Sequence, residues 1–434
     1  MSFVRFKNIM YLLDDKEYKK IGVPKDNNFI RNRKMSFVDI ILFILNNKGK
    51  TLTIELNDYM EKQGKERITK QAFSKQRQNI NPEIFKKLNT DYIKMIYEQR
   101  EIFKYKGYIV LAVDGSMIEM PNSPELKEYY GLQKGQEGSV GRVRGRCLGV
   151  YDCLNKIMAI TRLDPYNVSE KRQIEEELDT VLKIYKDEKI ILICDRFYFG
   201  ISFVNELNKK GIKYIIRMQN KHYKKEKLEM QSNDEEVNLK VRTNSVFYAE
   251  TEEERNELKK IKYVKTRIIK TIIPSGEEEH LATNISKEEL SSKEAEELYF
   301  GRWEIEKAFD IIKNKVKIEN FTSHKVIGVE QDFYSQMFLY NVLEDIRIDT
   351  GEIVKGQKEG LKYDYKVNTN VMVGMLREKL MEIVLSEGEE LEKKRDEFIE
   401  LTKKYLVPIK PGRSFPRKKM HSMNKYRHNL RRNC

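Results

Sequence analysis

Two unbroken apolar runs constrain this chain more than any other feature. Residues 108–113 (Tyr-Ile-Val-Leu-Ala-Val) lead into Asp114-Gly115, and residues 189–194 (Lys-Ile-Ile-Leu-Ile-Cys) lead into Asp195-Arg196. Apolar runs of this length without alternation suit strands buried on both faces, as in a parallel sheet covered by helices. Between them, residues 169–186 carry an acidic amphipathic helical pattern. A second helical pattern, 201–209, is closed by Gly211 and followed by a strand at 212–217. Strands alternating with helices predict an α/β core.

The flanking segments read differently. Residues 1–100 are expected to form an N-terminal helical DNA-binding domain. Ser36 and Asp39 make a capping box ahead of the apolar helix 37–45. Thr69 caps a short helix carrying Lys70, Lys75 and Arg77, and Asn81-Pro82 opens a third. Those three basic residues are candidate DNA contacts, with a solvated helix face as the competing reading. The core is expected at 105–219, interrupted by a β-rich insertion at 220–290 with strands at 241–249, 263–273 and 280–285. It resumes at 291–405, with helices at 292–317, 330–347 and 372–404. Gly135, Gly138, Gly141 and Gly145, interleaved with Arg142, Arg144 and Arg146, read as a flexible basic loop.

Charge narrows the class of partner. There are 82 Lys and Arg against 68 Asp and Glu, a net charge of +14. Nine of the fourteen net charges fall in the acid-free segment 408–434, which includes Arg417, Lys418 and Lys419. A basic tail at 406–434 predicts phosphate contacts with nucleic acid. The four Cys form no CxxC pair, and none has a His at zinc-finger spacing. The longest apolar run, 40–45, is far shorter than a membrane-spanning helix needs. The expectation is a soluble cytoplasmic, nucleoid-associated protein with no membrane partner. Gly49-Lys50-Thr51 ends like a phosphate-binding loop, but Ile44 stands where the first Gly is required, so no nucleotide cofactor is expected.

Three acids carry the candidate chemistry. Asp114 and Asp195 each end a buried strand, where open α/β sheets place their ligands. Alone, each reads as a turn residue or an ion-pair partner; together they suggest a shared metal site. The third acid, Glu306, shares a predicted helix with Tyr299, Arg302 and Lys313. Their spacings of three, four and seven residues put all four on one face. Trp303 borders that face, and Ile305, Phe309, Ile312 and Val316 form the neighbouring apolar stripe. Three carboxylates suit Mg²⁺, a hard cation that prefers oxygen ligands. Two such ions could activate a water or a 3′-hydroxyl in phosphodiester chemistry, with Mn²⁺ as a substitute. Tyr299, Arg302 and Lys313 would hold phosphates.

The pattern Tyr-x2-Arg-x3-Glu-x6-Lys at Tyr299, Arg302, Glu306 and Lys313 resembles the signature of bacterial insertion-sequence transposases of the DDE type. The segments 113–122 (VDGSMIEMPN) and 193–200 (ICDRFYFG) are similar to those around the family's two catalytic Asp. LATNI (281–285), QDFY (331–334), 29–47, 69–77 and PGRSFPRKK (411–419) also look familial, so the likeness spans nearly the whole chain. The resemblance implies a ribonuclease-H-like core with a β-strand insertion, and Asp114, Asp195 and Glu306 as catalytic, metal-holding residues. It implies Mg²⁺-dependent cleavage at the element's ends, then strand transfer by the freed 3′-hydroxyl. The partners implied are double-stranded DNA, as terminal inverted repeats and target, and a second copy of the chain in a homodimeric synaptic complex. Some members pass through a DNA hairpin. For that route Trp303 is a candidate base platform, with core packing as the alternative.

Two other readings compete. One is a DNA-binding protein, inert or domesticated, that uses the N-terminal helices and the tail. The other is a ribonuclease-H-like nuclease without strand transfer. Intact Asp114, Asp195 and Glu306 argue against decay, and the complete signature favours the transposase.

Overall fold

The two apolar runs lie side by side as parallel strands, in register from Tyr108↔Lys189 to Val113↔Cys194. The structure, a computed structural model, describes residues 1–410 except 26–27, 31–32, 135–140, 248, 250, 273–275 and 356–362, and except the side chains of 352–355. The strands are β1 (Tyr108–Glu119), β2 (Leu132–Gln133), β3 (Arg142–Asp152), β4 (Ile157–Pro165), β5 (Lys189–Cys194), β6 (Lys213–Met218), β7 (Asp234–Lys240), β8 (Tyr263–Ile272) and β9 (Glu278–Thr283). Their order is β4-β3-β1-β5-β6-β9-β8-β7, and β2 pairs with the opening residues of β3. β1, β5 and β6 are parallel, whereas β3/β4, β6/β9, β9/β8 and β8/β7 are antiparallel. The chain is thus mixed α/β with one large mixed sheet.

The chain divides into two compact units. One comprises Glu101–Ile118 and Gly145–Phe309, and carries the sheet. Its core is the apolar runs themselves: Ile109 to Val113 and Ile190 to Cys194 are all buried. Fully burying one such side chain is worth about 1.5–3 kcal/mol, so these two strands anchor the unit. Helix Ile201–Lys209 packs on β6 and β8, and helix Glu170–Ile184 lies against β4.

The expected β-rich insertion takes a different form. Its strands β7–β9 continue the main sheet from the edge of β6. The strand expected at 241–249 is displaced: the charged segment 234–240 forms β7, and Thr243–Phe247 is a short helix. Charge disguised β7, because Asp234, Glu235, Glu236 and Lys240 sit on a strand at the end of the sheet, where only Leu239 is fully buried. A further helix, Glu252–Lys260, precedes β8.

The other unit comprises Met1–Arg100, Glu119–Arg144 and Asp310–Cys434. The first hundred residues therefore share a core with the C-terminal helices. The Ser36–Asp39 capping box is formed ahead of helix Phe37–Leu45, and Thr69 caps helix Lys70–Arg77. Helix Glu83–Gln99 packs on the long helix Val326–Lys355. A buried cluster fixes that packing: Asp345 accepts two bonds from Arg5, at 2.9 and 2.7 Å, and one from the Tyr92 hydroxyl at 2.8 Å. The helix expected at 372–404 is two helices, Thr369–Leu385 and Gly388–Lys403. Among the described residues, no helix is long and apolar enough to cross a membrane.

Candidate active site

The register that pairs Val113 with Cys194 delivers Asp114 and Asp195 as the next residues on adjacent strands. The two acids are therefore lateral neighbours, on strands about 4.8 Å apart. Asp195 directly follows β5, as expected. Asp114 does not end its strand, because β1 continues to Glu119; what ends at Val113 is the parallel pairing with β5.

The signature helix is also broken where the sequence suggested continuity. Helix Ser292–Phe300 stops at Gly301, and a second helix, Trp303–Asn314, begins after Arg302. Tyr299 and Glu306 thus lie on different helices, with Arg302 at the junction. Arg302 still reaches Glu306 across one turn. Packing sets the helix height over the sheet: a Cβ on Gly149 of β3 would lie 2.9 Å from the Phe309 ring and 3.4 Å from Ile305. Ile305, Phe309, Ile312 and Val316 are all buried, as their stripe predicted.

The Arg302 guanidinium faces two of the three acids directly and feels the charge of the third, Asp195. Its Nη2 donates to Glu306 Oε1 at 3.1 Å, and Nη1 stands 4.0 Å from Asp114. Burial opposes its charge, but Tyr299, Asp195, Asp114 and Glu306 outweigh that and hold its pKa above the ordinary arginine value. Asp114 responds in the opposite sense. Burial, ahead of the countering Arg302 and Gly115 backbone, lifts its carboxyl to about 6. Asp195 accepts a 2.6 Å bond from the Arg196 backbone N–H.

Tyr299 and Arg302, only 7% and 6% exposed, face each other at this junction: burial pushes the Tyr299 phenol up, and the neighbouring guanidinium partly offsets it. Among the described residues, no three Asp, Glu, His or Cys side chains already stand at metal-holding spacing. The guanidinium stands among these carboxylates as a cation would. Their oxygens are the donor type a hard divalent ion takes, so the donor set fits such an ion.

Other expected contacts fall variously. Trp303 is 46% exposed with the Arg302 guanidinium 5.1 Å from its ring centre, so core packing is not its role. Phe197, which the sequence reading passed over, is 69% exposed two residues after Asp195, with Arg196 against its ring. Lys313 lies half-buried in the last turn of helix Trp303–Asn314, within the other unit. Lys75 is exposed and Lys70 half-buried on their helix.

Arg77 is corrected. It is 4% exposed and bonds inward to Gln331 (2.6 Å), Thr322 (2.6 Å), Gly328 O (2.9 Å) and Asp332 (2.7 Å), so it is not offered to DNA. The expected basic loop is corrected in part too. Arg142, Arg144 and Arg146 belong to β3, and Glu119, Gln133 and Glu170 engage them. Gly135, Gly138, Arg417, Lys418 and Lys419 lie outside the described residues.

The sequence model of the transposase DDE domain matches residues 105–342, more than half of the chain and the whole of this site. The chain belongs to the DDE-domain transposases. No curated protein matches this transposase. A solved structure similar to it is a piggyBac transposase synaptic complex with hairpin DNA, determined by cryo-EM. The identity is 8% and the TM-score 0.45, over 90% of this chain and 84% of that one. The transposase is an enzyme of DNA recombination, and its family works with divalent metal ions.

Proposed function

We propose that this transposase is of the insertion-sequence type marked by the Tyr299, Arg302, Glu306 and Lys313 signature, built on a ribonuclease-H-like core. It cleaves DNA at the element's ends and joins the freed 3′-hydroxyl to target DNA. The observation that carries the reading is the register of β1 and β5, which sets Asp114 and Asp195 side by side, with Arg302 facing both Asp114 and Glu306. The strand order supports the core: antiparallel β3 and β4 on one side of β1, parallel β5 and β6 on the other.

In this reading Asp114, Asp195 and Glu306 hold Mg²⁺, as two ions, and Mn²⁺ can replace it. When bound, such ions activate a water or 3′-hydroxyl and stabilise the leaving oxygen. The chain's own residues do the rest. Asp114 would have to be ionised to hold such an ion, and its lifted pKa makes that sensitive to acid. Arg302 turns from Glu306 to a DNA phosphate, where its planar fork can bond two oxygens. The Tyr299 hydroxyl donates to the same phosphate, and Lys313 contacts DNA phosphate as well. The exposed rings of Trp303 and Phe197 suit stacking on a base held out of the duplex, as a hairpin route requires. Lys70, Lys75, Arg417, Lys418 and Lys419 bind backbone phosphates of the terminal repeats, and two copies of the chain pair the ends.

The test is cleavage of a labelled DNA end by purified protein, in Mg²⁺ or EDTA, beside Glu306→Ala. Mg²⁺-dependent cutting lost in the variant supports the reading. Cutting by Glu306→Ala at the parent rate overturns it. Cutting without joining to target DNA would favour a nuclease instead.

A further inference from the structure

We propose that helix Lys70–Arg77 reads base edges in the major groove of duplex DNA, with Gln71 and Gln78 as the residues that discriminate sequence. This rests on the reading above of Lys70 and Lys75 as phosphate contacts. Three inward side chains seat the helix. Phe73 is buried edge-on against Phe43, with ring centres 4.7 Å apart. Gln76 donates to Met35 O at 3.0 Å. Arg77 bonds to Gln331, Thr322, Gly328 and Asp332. The Thr69 cap fixes the start, its hydroxyl accepting from the Ala72 backbone N–H at 3.2 Å.

The opposite face is left open. Gln71, Ser74, Lys75 and Gln78 follow the i, i+3, i+4, i+7 spacing of one helix face, and all four are exposed. Gln71 and Gln78 run along its middle, with Ser74 and Lys75 to either side. That face carries no acid. From residue 63 to 81 there are five Lys and Arg against one acid, Glu66, which pairs with Lys34 at 2.7 Å. Other solvated helices of this chain do carry acids: Glu252–Lys260 has three Glu in its first turn and Gly388–Lys403 has two. A polar face without carboxylates complements a polyanion. Lysine alone would answer a phosphate backbone of any sequence, whereas a neutral glutamine amide bonds adenine at N6 and N7 together. Gln78 donates one N–H to Ser74 O at 3.1 Å, which steadies the side chain. Its other N–H and its carbonyl stay available, the donor and acceptor that adenine requires. Seven residues of helix are about 10.5 Å long, against about 3.4 Å for one base-pair step, so the two amides address different base pairs.

The experiment is selection from a pool of random DNA duplexes by the full chain in EDTA, followed by sequencing and by affinity measured across a salt series. Parent protein is compared with Gln71→Ala, Gln78→Ala and Lys75→Ala, each checked for the parent melting temperature. The parent is expected to enrich a motif. Gln71→Ala and Gln78→Ala should each lose the preference for adenine at one position, a different one in each variant. Each should bind the parent motif about tenfold more weakly. Their affinity for unselected duplex and their salt slope should match the parent. Lys75→Ala should keep the motif and lower the salt slope by about one. Enrichment of the unchanged motif by both Gln variants overturns the proposal, as does a parent that enriches no motif. Adenine preference lost in the Gln variants, with a parent-like slope in Lys75→Ala, overturns the phosphate contact and leaves the base reading standing. Because no cleavage is needed, the result does not depend on Asp114, Asp195 or Glu306.

Discussion

Arg302 reaches Glu306 at 3.1 Å, from the junction between two helices rather than from within one. The Arg302 side chain is buried while that of Glu306 is 26% exposed, so the bond is partly shielded from water and salt. The same guanidinium also faces Asp114 at 4.0 Å, so one cation offsets the repulsion among several acids.

Removing that cation should therefore do two opposite things. Arg302→Gln is expected to destabilise the metal-free chain by about 2–4 kcal/mol, because breaking a buried pair strands its partners. It should also enlarge the thermal stabilisation given by Mg²⁺, since nothing then competes for the carboxylates. Melting curves with and without Mg²⁺ measure both. An unchanged Mg²⁺ increment would show that Arg302 does not stand in for the ion.

Asp114 gives a pH signature. Burial lifts its folded pKa to about 6, whereas an unfolded-chain Asp titrates near 4, roughly. The folded chain thus binds the extra proton between those values, and stability falls as pH rises through that window. Above about 6 the full penalty, on the order of 2 kcal/mol, is present. Asp114→Asn should raise the melting temperature at neutral pH and leave it unchanged near pH 4, roughly the unfolded value. Equal effects at both pH values would mean that charge desolvation is not the cause.

The two acids on neighbouring strands should fail in chemistry while leaving DNA binding intact. Asp114→Ala and Asp195→Ala are each expected to lower end cleavage by roughly a thousandfold or more, in line with losses of groups that act only in the transition state. Gel-shift affinity should stay within a few-fold of the parent. A large loss of affinity in step with cleavage would reassign them to binding.

Arg77 and Lys75, two residues apart, should separate by phenotype. Arg77→Ala removes the charge that pairs buried Asp332 and is expected to cost about 3–5 kcal/mol of stability. Lys75→Ala should leave the melting curve within about 0.5 kcal/mol of the parent, as surface changes do, and weaken DNA binding. A stable Arg77→Ala with weakened DNA binding would return Arg77 to the interface.

Deleting residues 411–434 should weaken DNA binding and flatten its dependence on salt, because eight Lys and Arg leave with that segment. Affinity measured across a salt series decides it. An identical slope would remove the tail from the DNA.

The sequence by itself determined what local chemistry determines. The two apolar runs are buried parallel strands, because an exposed strand would not carry five or six apolar residues without alternation. The capping box at Ser36 and the cap at Thr69 formed as read, since caps depend on residues three apart. The apolar stripe from Ile305 to Val316 is buried for the same reason of short-range periodicity.

Tertiary structure decided everything that depends on distant partners. Arg77 looks like any surface arginine until residues 322–332 fold around it. β7 is hidden by its acids, because strand pairing with β8 places most of it in water. Periodicity reports which side of an element is buried. It does not report what lies across from it, and the site is made of what lies across.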